Sequence, residues 1–141
     1  MIVVFGSLNV DLLIPVDRLP HPGETVLGPS YSFAAGGKGA NQALAAARAG
    51  GSVRMAGRVG SDDLSAIALN DLQLGGVDLA LTAKGDKPTG LAAICVDRKG
   101  ENIIVVASGA NLDARADQVP EDVRLSGLER LPGVQPPLAG V

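Results

Sequence analysis

The ten residues AAGGKGANQA, Ala34 to Ala43, decide how this chain is read. Glycine allows left-handed turns and close backbone approach. The run Gly36-Gly37-Lys38-Gly39 is therefore compatible with a phosphate cradle, a tight turn, or a backbone brought against a ligand. A Walker-type loop needs Gly, four residues, Gly-Lys, then Ser or Thr. Here Ser32 stands at the first position and Gly39 at the hydroxyl position. A dinucleotide fingerprint needs a glycine three residues after the second one, where Gln42 stands. What remains is a loop opening a helix. It is either a plain turn or a close approach of backbone amides to a ligand, with Lys38 and Asn41 as directed donors. Polyhydroxylated ligands suit such donors.

Working outward, Ala40, Ala43, Leu44 and Ala47 recur at helical spacing before Gly50-Gly51, which predicts a small-residue helix over about 40–49. Upstream, Ile2 to Phe5 reads as a buried strand ending at Gly6. The run Asn9 to Val16 places Asn9 and Asp11 two apart, so an extended backbone points both to one side. Thr25 to Leu27 and Tyr31 to Ala34 read as a small hairpin around Gly28-Pro29. Downstream, Val53 to Val59 reads as a second buried strand. Asp62 or Asp63 then caps a helix through Leu64, Ile67, Ala68 and Leu72 that stops at Gly75-Gly76. This alternation of strand and helix predicts a βαβ unit and a mostly parallel sheet. Thr89 to Val96 and Asn102 to Ala107 form a hairpin across the connection 97–101. Both faces of that hairpin are apolar, so it must cover a ligand, a core, or another copy of itself.

The 141 residues, 46% hydrophobic with a formal net charge of −3, fit one globular domain. No run of about 18 apolar residues occurs and no basic leader precedes Asp11, so a cytoplasmic protein without a membrane partner is expected. The single cysteine, Cys95, and the single histidine, His21, leave no zinc-type cluster. An acidic balance with 2% aromatic residues argues against nucleic acid as a partner. Small molecules are the expected ligands.

Several motifs in order, Gly6-Ser7-Leu8-Asn9-Val10-Asp11, Pro22-Gly23-Glu24-Thr25-Val26, Gly36 to Ala43, Gly57-Arg58-Val59-Gly60-Ser61-Asp62, and Pro88-Thr89-Gly90 leading to Ser108-Gly109-Ala110-Asn111, resemble the PfkB-type carbohydrate kinases, in particular their ribokinase branch. The likeness runs over residues 1 to about 122. It implies a ribokinase-like α/β fold, with Rossmann-like βαβ layers, a mostly parallel sheet and a small β lid, incomplete in this chain. By the same resemblance Asn9 and Asp11 would bind sugar hydroxyls, and Gly36, Gly37 and Lys38 would line the sugar site. Asn41 would hold another hydroxyl from the helix start. Lid strands near 12–35 and 88–108 would place Ala92 and Ile94 over the sugar, while the other lid face meets a second subunit in a homodimer.

ATP and Mg²⁺ are the reagents the resemblance implies for full-length members, with ribose the expected sugar. The family's Gly-Ala-Gly-Asp motif, which supplies the base and the anion-holding amides, has no counterpart: the only Gly-Asp is Gly85-Asp86, in a turn context. No catalytic residue is therefore assigned, and neither ATP nor Mg²⁺ is expected to bind this fragment well. Residues 123–141, carrying Pro132, Pro136 and Pro137, depart from the pattern and are expected to be a disordered tail after a sugar-binding part at 1–122. The expected protein is a fragment of an ATP-dependent sugar kinase, inactive alone. The alternatives are a non-catalytic sugar-binding or lid-dimerisation module and a remnant without function.

Overall fold

The computed structural model describes residues 1–119 and residue 121, so the sequence-derived tail at 123–141 lies outside the described residues. The fold is α/β, built from two sheets between which the chain passes three times, from β1 to β2, from β3 to β4 and from β5 to β6. The first sheet is wholly parallel, in the order β1 (Ile2–Phe5), β4 (Val53–Gly60), β5 (Asp78–Gly85). The second is a four-stranded mixed lid in the order β3 (Ser32–Gly36), β2 (Asn9–Pro15), β6 (Gly90–Val96), β7 (Asn102–Ala107). Helix α1 (Lys38–Arg48) lies against β1 and β4, and α2 (Leu64–Leu74) touches strands of both sheets. Among the described residues no helix is long and apolar enough to cross a membrane.

Helix α1 packs through Gly39, Ala40 and Ala43, all buried, because side chains of this size let a helix approach a sheet closely. Around it Leu8, Val10, Met55, Val59 and Leu72 form the fully buried centre. Each such side chain contributes roughly 1.5–3 kcal/mol by leaving water. Helix α2 starts where the sequence places it: the Asp62 carboxylate accepts the Ser65 amide at 3.1 Å and so caps an otherwise unpaired N–H. Gly76, with φ of 74°, ends the helix in the left-handed region, as its sequence position anticipates.

Two elements differ from the sequence expectation. Residues Thr25 to Leu27 form no strand, and Ser32–Gly36 pairs antiparallel with β2 rather than with them. The loop between is shaped instead by Arg18, whose Nη1 meets Glu24 Oε2 at 2.7 Å, while Glu24 also accepts the His21 amide at 3.0 Å. Strand β5 carries the sequence DLALTAKG, whose Ala, Lys and Gly residues lack strand preference; its parallel pairing with β4 makes it a strand.

The lid is latched to the parallel sheet at the mouth of β6. Thr89 Oγ1 accepts the Gly60 amide at 2.9 Å and donates to Asp62 Oδ1 at 2.6 Å, and the Thr89 amide donates to Asp62 Oδ2 at 2.8 Å. Burial pushes the Asp62 carboxyl up, but the Thr89 hydroxyl and amide and the Ser65 amide outweigh it, so its pKa lies below the ordinary carboxylate range. Its stabilising contribution is then present above the unfolded-state pKa and is lost as pH falls through the folded one. Thr89→Val should cost about 1–3 kcal/mol of stability by urea unfolding at pH 7, since it strands the Gly60 N–H and leaves Asp62 Oδ1 with the Ser65 amide alone. The deficit against wild type should shrink as pH falls below the ordinary carboxylate range; a deficit independent of pH would contradict the latch.

Candidate functional site: a polar cleft under the lid

Residues directly opposite on adjacent strands share a face. The register sets Asn9 between Gly36 and Gly90, and Asp11 between Ala34 and Ala92. The polar pair on β2 therefore lies in a trough whose walls are glycine and alanine. On the same face Ala92 and Ile94 of β6 stand opposite Val106 and Ile104 of β7. Asn9, Asp11, Ala92, Ile94, Ile104 and Val106 line a cleft of about 440 Å³, completed by Ser7, Gly37, Lys38 and Asn41 from the start of α1 and its supporting loop, and by Ser108 and Asn111 beyond β7. Of the sequence-derived site residues, Asn9, Asp11, Gly37, Lys38, Asn41, Ala92 and Ile94 converge here. Two other concavities, of about 570 and 560 Å³, are larger but gather fewer polar groups. Convergence of donors and acceptors distinguishes a binding site better than volume does.

Gly36 is the exception among the expected lining residues. It backs the site rather than lining it: a Cβ there would stand 2.4 Å from the Asp11 carboxyl carbon and both its oxygens. Gly37 has φ of 100°, and a Cβ there would come within 2.5 Å of the Ser7 carbonyl oxygen. A Cβ on Gly39 would meet the Gly6 carbonyl carbon at 2.7 Å. The glycine run thus serves close approach of backbone to backbone and of backbone to Asp11. Its amides are partly consumed inside the protein, because Lys38 N–H donates to Ser7 Oγ at 3.2 Å and Ala40 N–H donates to the Ser7 carbonyl at 3.1 Å. What the run presents to the cleft is chiefly the side chains of Lys38 and Asn41.

Burial pushes the Asp11 carboxyl above its ordinary range, and among the described residues no donor compensates it. The Lys38 side chain likewise makes no ion pair among them. An acceptor and a cation are thus left open in one cleft. Sequence reasoning assigned no role to Ser7, Ile104, Val106, Ser108 or Asn111. The two β7 residues were recoverable by counting the hairpin register back from the 97–101 connection. Asn111 lies past the strand end, where no periodicity reports which way a side chain points.

The fold is α/β, a parallel sheet with crossover helices joined to a β lid over a polar cleft, and residues 1–127 match the model of the pfkB family of carbohydrate kinases. The chain belongs to that family. It is 41% identical over 130 residues to the ribokinase of Bacillus subtilis, a match spanning 92% of this chain and 43% of that protein. With the ribokinase of Haemophilus influenzae it shares 43% identity over 111 residues, 78% of this chain and 36% of that one. The solved structure of Arabidopsis thaliana ribokinase, complexed with ribose and ATP, superposes with a TM-score of 0.70 at 35% identity over 78% of this chain and 36% of that one. The chain spans less than half the length of these relatives.

Asp11→Asn should remove a partly desolvated charge. Because the folded pKa of Asp11 is raised, its ionisation costs stability as pH rises from the unfolded value through the folded one, and the cost is complete above the folded one. The variant is expected to unfold at a urea concentration equal to or above that of wild type at pH 7, while losing any ligand held by that carboxylate. A variant clearly less stable than wild type would show that Asp11 is a structural residue.

Proposed function

We propose that the chain supplies the sugar-binding part and lid of an ATP-dependent carbohydrate kinase, with a pentose, ribose in the first instance, as the sugar. The observation that carries this reading is the convergence of Asn9, Asp11, Lys38 and Asn41 on one cleft roofed by Ala92 and Ile94. The carboxylate accepts from hydroxyls, and the ammonium and amide N–H groups donate to hydroxyl or ring oxygens. Apolar lid residues then exclude water from the sugar. The similarity to ribokinases, and the ribose in the Arabidopsis structure, support ribose over other polyols.

Two amides at the start of α1, those of Lys38 and Ala40, are engaged by Ser7 rather than open to a phosphate. The nucleotide and Mg²⁺ sites are assigned to the part of the relatives' length that this chain does not span, together with the base that would deprotonate the sugar hydroxyl. On this reading residues 1–122 form one sugar-binding unit that does not turn over alone, in keeping with a cytoplasmic enzyme of sugar metabolism. The lid also offers a docking face: all six residues of β7 are exposed, and on the side away from the cleft Val105 is 66% and Ile103 43% exposed. A second copy of the lid is its proposed partner.

Calorimetry of the 141-residue chain with D-ribose and no nucleotide should show binding that Asp11→Ala abolishes, and no ribose-dependent ADP release should follow when Mg-ATP is added. Absence of ribose binding to the folded wild type would refute the retained sugar site; phosphorylation by the chain would refute its catalytic dependence on further sequence. Sedimentation velocity should find a dimer in wild type that Val105→Lys converts to monomer. A monomer in both would remove the lid contact.

A further inference from the structure

We propose that Asn111 is a positioning residue that sets the amide polarity of Asn9, so that Asn9 offers only N–H donors to the cleft. The inference rests on the sugar-binding reading for its consequence, but its geometry stands apart from that reading. Asn111 Oδ1 accepts the Leu8 main-chain N–H at 2.8 Å, and Asn111 Nδ2 lies 3.0 Å from the Leu8 carbonyl and 3.0 Å from the Ser108 carbonyl. An N–H can only donate and a carbonyl can only accept, so these three main-chain groups permit one orientation of the Asn111 amide. The remaining neighbour of Nδ2, at 2.8 Å, must then be an acceptor, which makes it Asn9 Oδ1. Asn111 shares its two N–H hydrogens among three oxygens. Asn9 Nδ2, by contrast, has no protein acceptor among the described residues.

A second observation supports the pair. A Cβ on Gly90 would fall 2.2 Å from Asn9 Oδ1 and 2.4 Å from Asn111 Nδ2. The φ of Gly90 lies outside the left-handed region, so the amide pair and not the backbone demands glycine there. The support beneath is rigid: Leu8 and Ala110 are fully buried, and the Ala110 amide donates to the Pro88 carbonyl at 2.8 Å.

The consequence concerns what the cleft selects. Two residues along the same face of β2, ionised Asp11 can only accept. The strand therefore displays a fixed donor followed by a fixed acceptor. A hydroxyl that accepts from Asn9 while donating to Asp11 satisfies both; a group that only accepts, such as a carboxylate or phosphate oxygen, leaves Asp11 repelled and unpaired. Neutral polyols are thereby favoured over sugar acids and sugar phosphates at this position.

The test reads side-chain amides by ¹H–¹⁵N NMR in the free 141-residue chain, then measures D-ribose affinity across Asn9→Ala, Asn111→Ala and the double variant. The Asn111 amide protons should exchange slowly with solvent and the Asn9 amide protons quickly, and the Asn9 pair should shift on ribose addition. Asn111→Ala should weaken ribose binding about tenfold, while the same change in the Asn9→Ala background should weaken it little further. Protected Asn9 protons beside fast-exchanging Asn111 protons, or an Asn111→Ala effect that persists in full without the Asn9 amide, would overturn the assignment. If wild type binds no ribose, the sugar reading fails, and the exchange rates in the free protein still decide the polarity of the pair. If Asn111→Ala does not fold, those wild-type rates decide it alone.

Discussion

The contact between Gly6 and Gly39 is the constraint on which the rest of the molecule depends. Here the chain leaves the parallel sheet through Gly6-Ser7 and enters the lid at Asn9, while the first turn of α1 presses on the same spot. A Cβ on either glycine would stand within 3 Å of the other's backbone, so both must be bare. Ser7 then binds the helix start twice, through its hydroxyl and its carbonyl. The joint lies where the chain passes from β1 to β2, between the parallel sheet and the lid. Close packing transmits a displacement there rather than absorbing it.

Two aspartates show how one fold separates structural carboxylates from available ones. Asp62 accepts hydrogen bonds from Thr89 and Ser65, and these lower its pKa despite burial. It ties the end of β4 to the mouth of β6. Asp11, half-buried without a donor, is left with a raised pKa in a trough cleared by Gly36, Ala34 and Ala92. The first carboxylate spends its acceptor capacity on holding the two sheets together, and the second keeps its capacity open. Functional sites commonly carry such unfavourable groups, which the surrounding structure must stabilise.

Much of this was legible along the chain. The small-residue stripe of α1, the Asp62 cap of α2, the buried run of β4 and the hairpin β6–β7 all follow from periodicity and turn chemistry, which are local. Asn9 and Asp11 were placed on one side by the two-residue repeat of a strand. Strand β5 and the partner of β3 were not legible, because Ala, Lys and Gly in β5 carry no strand preference, and Ser32–Gly36 found its ladder with a strand that precedes it by about twenty residues. Long-range pairing overrides weak local propensity.

Residue types and their spacing by themselves determined an α/β chain, a polar pair on one strand face, and a glycine run that lacks the pattern of a phosphate loop and is either a plain turn or a close approach. Only the tertiary structure decided what approaches those glycines: Gly6, Ser7 and the Asp11 carboxyl. It likewise decided that Asn111, a hundred residues from Leu8 and Asn9 in sequence, holds both. The physical reason is that a hydrogen bond is fixed by distance and direction in space, whereas sequence spacing specifies direction only within a single helix or strand.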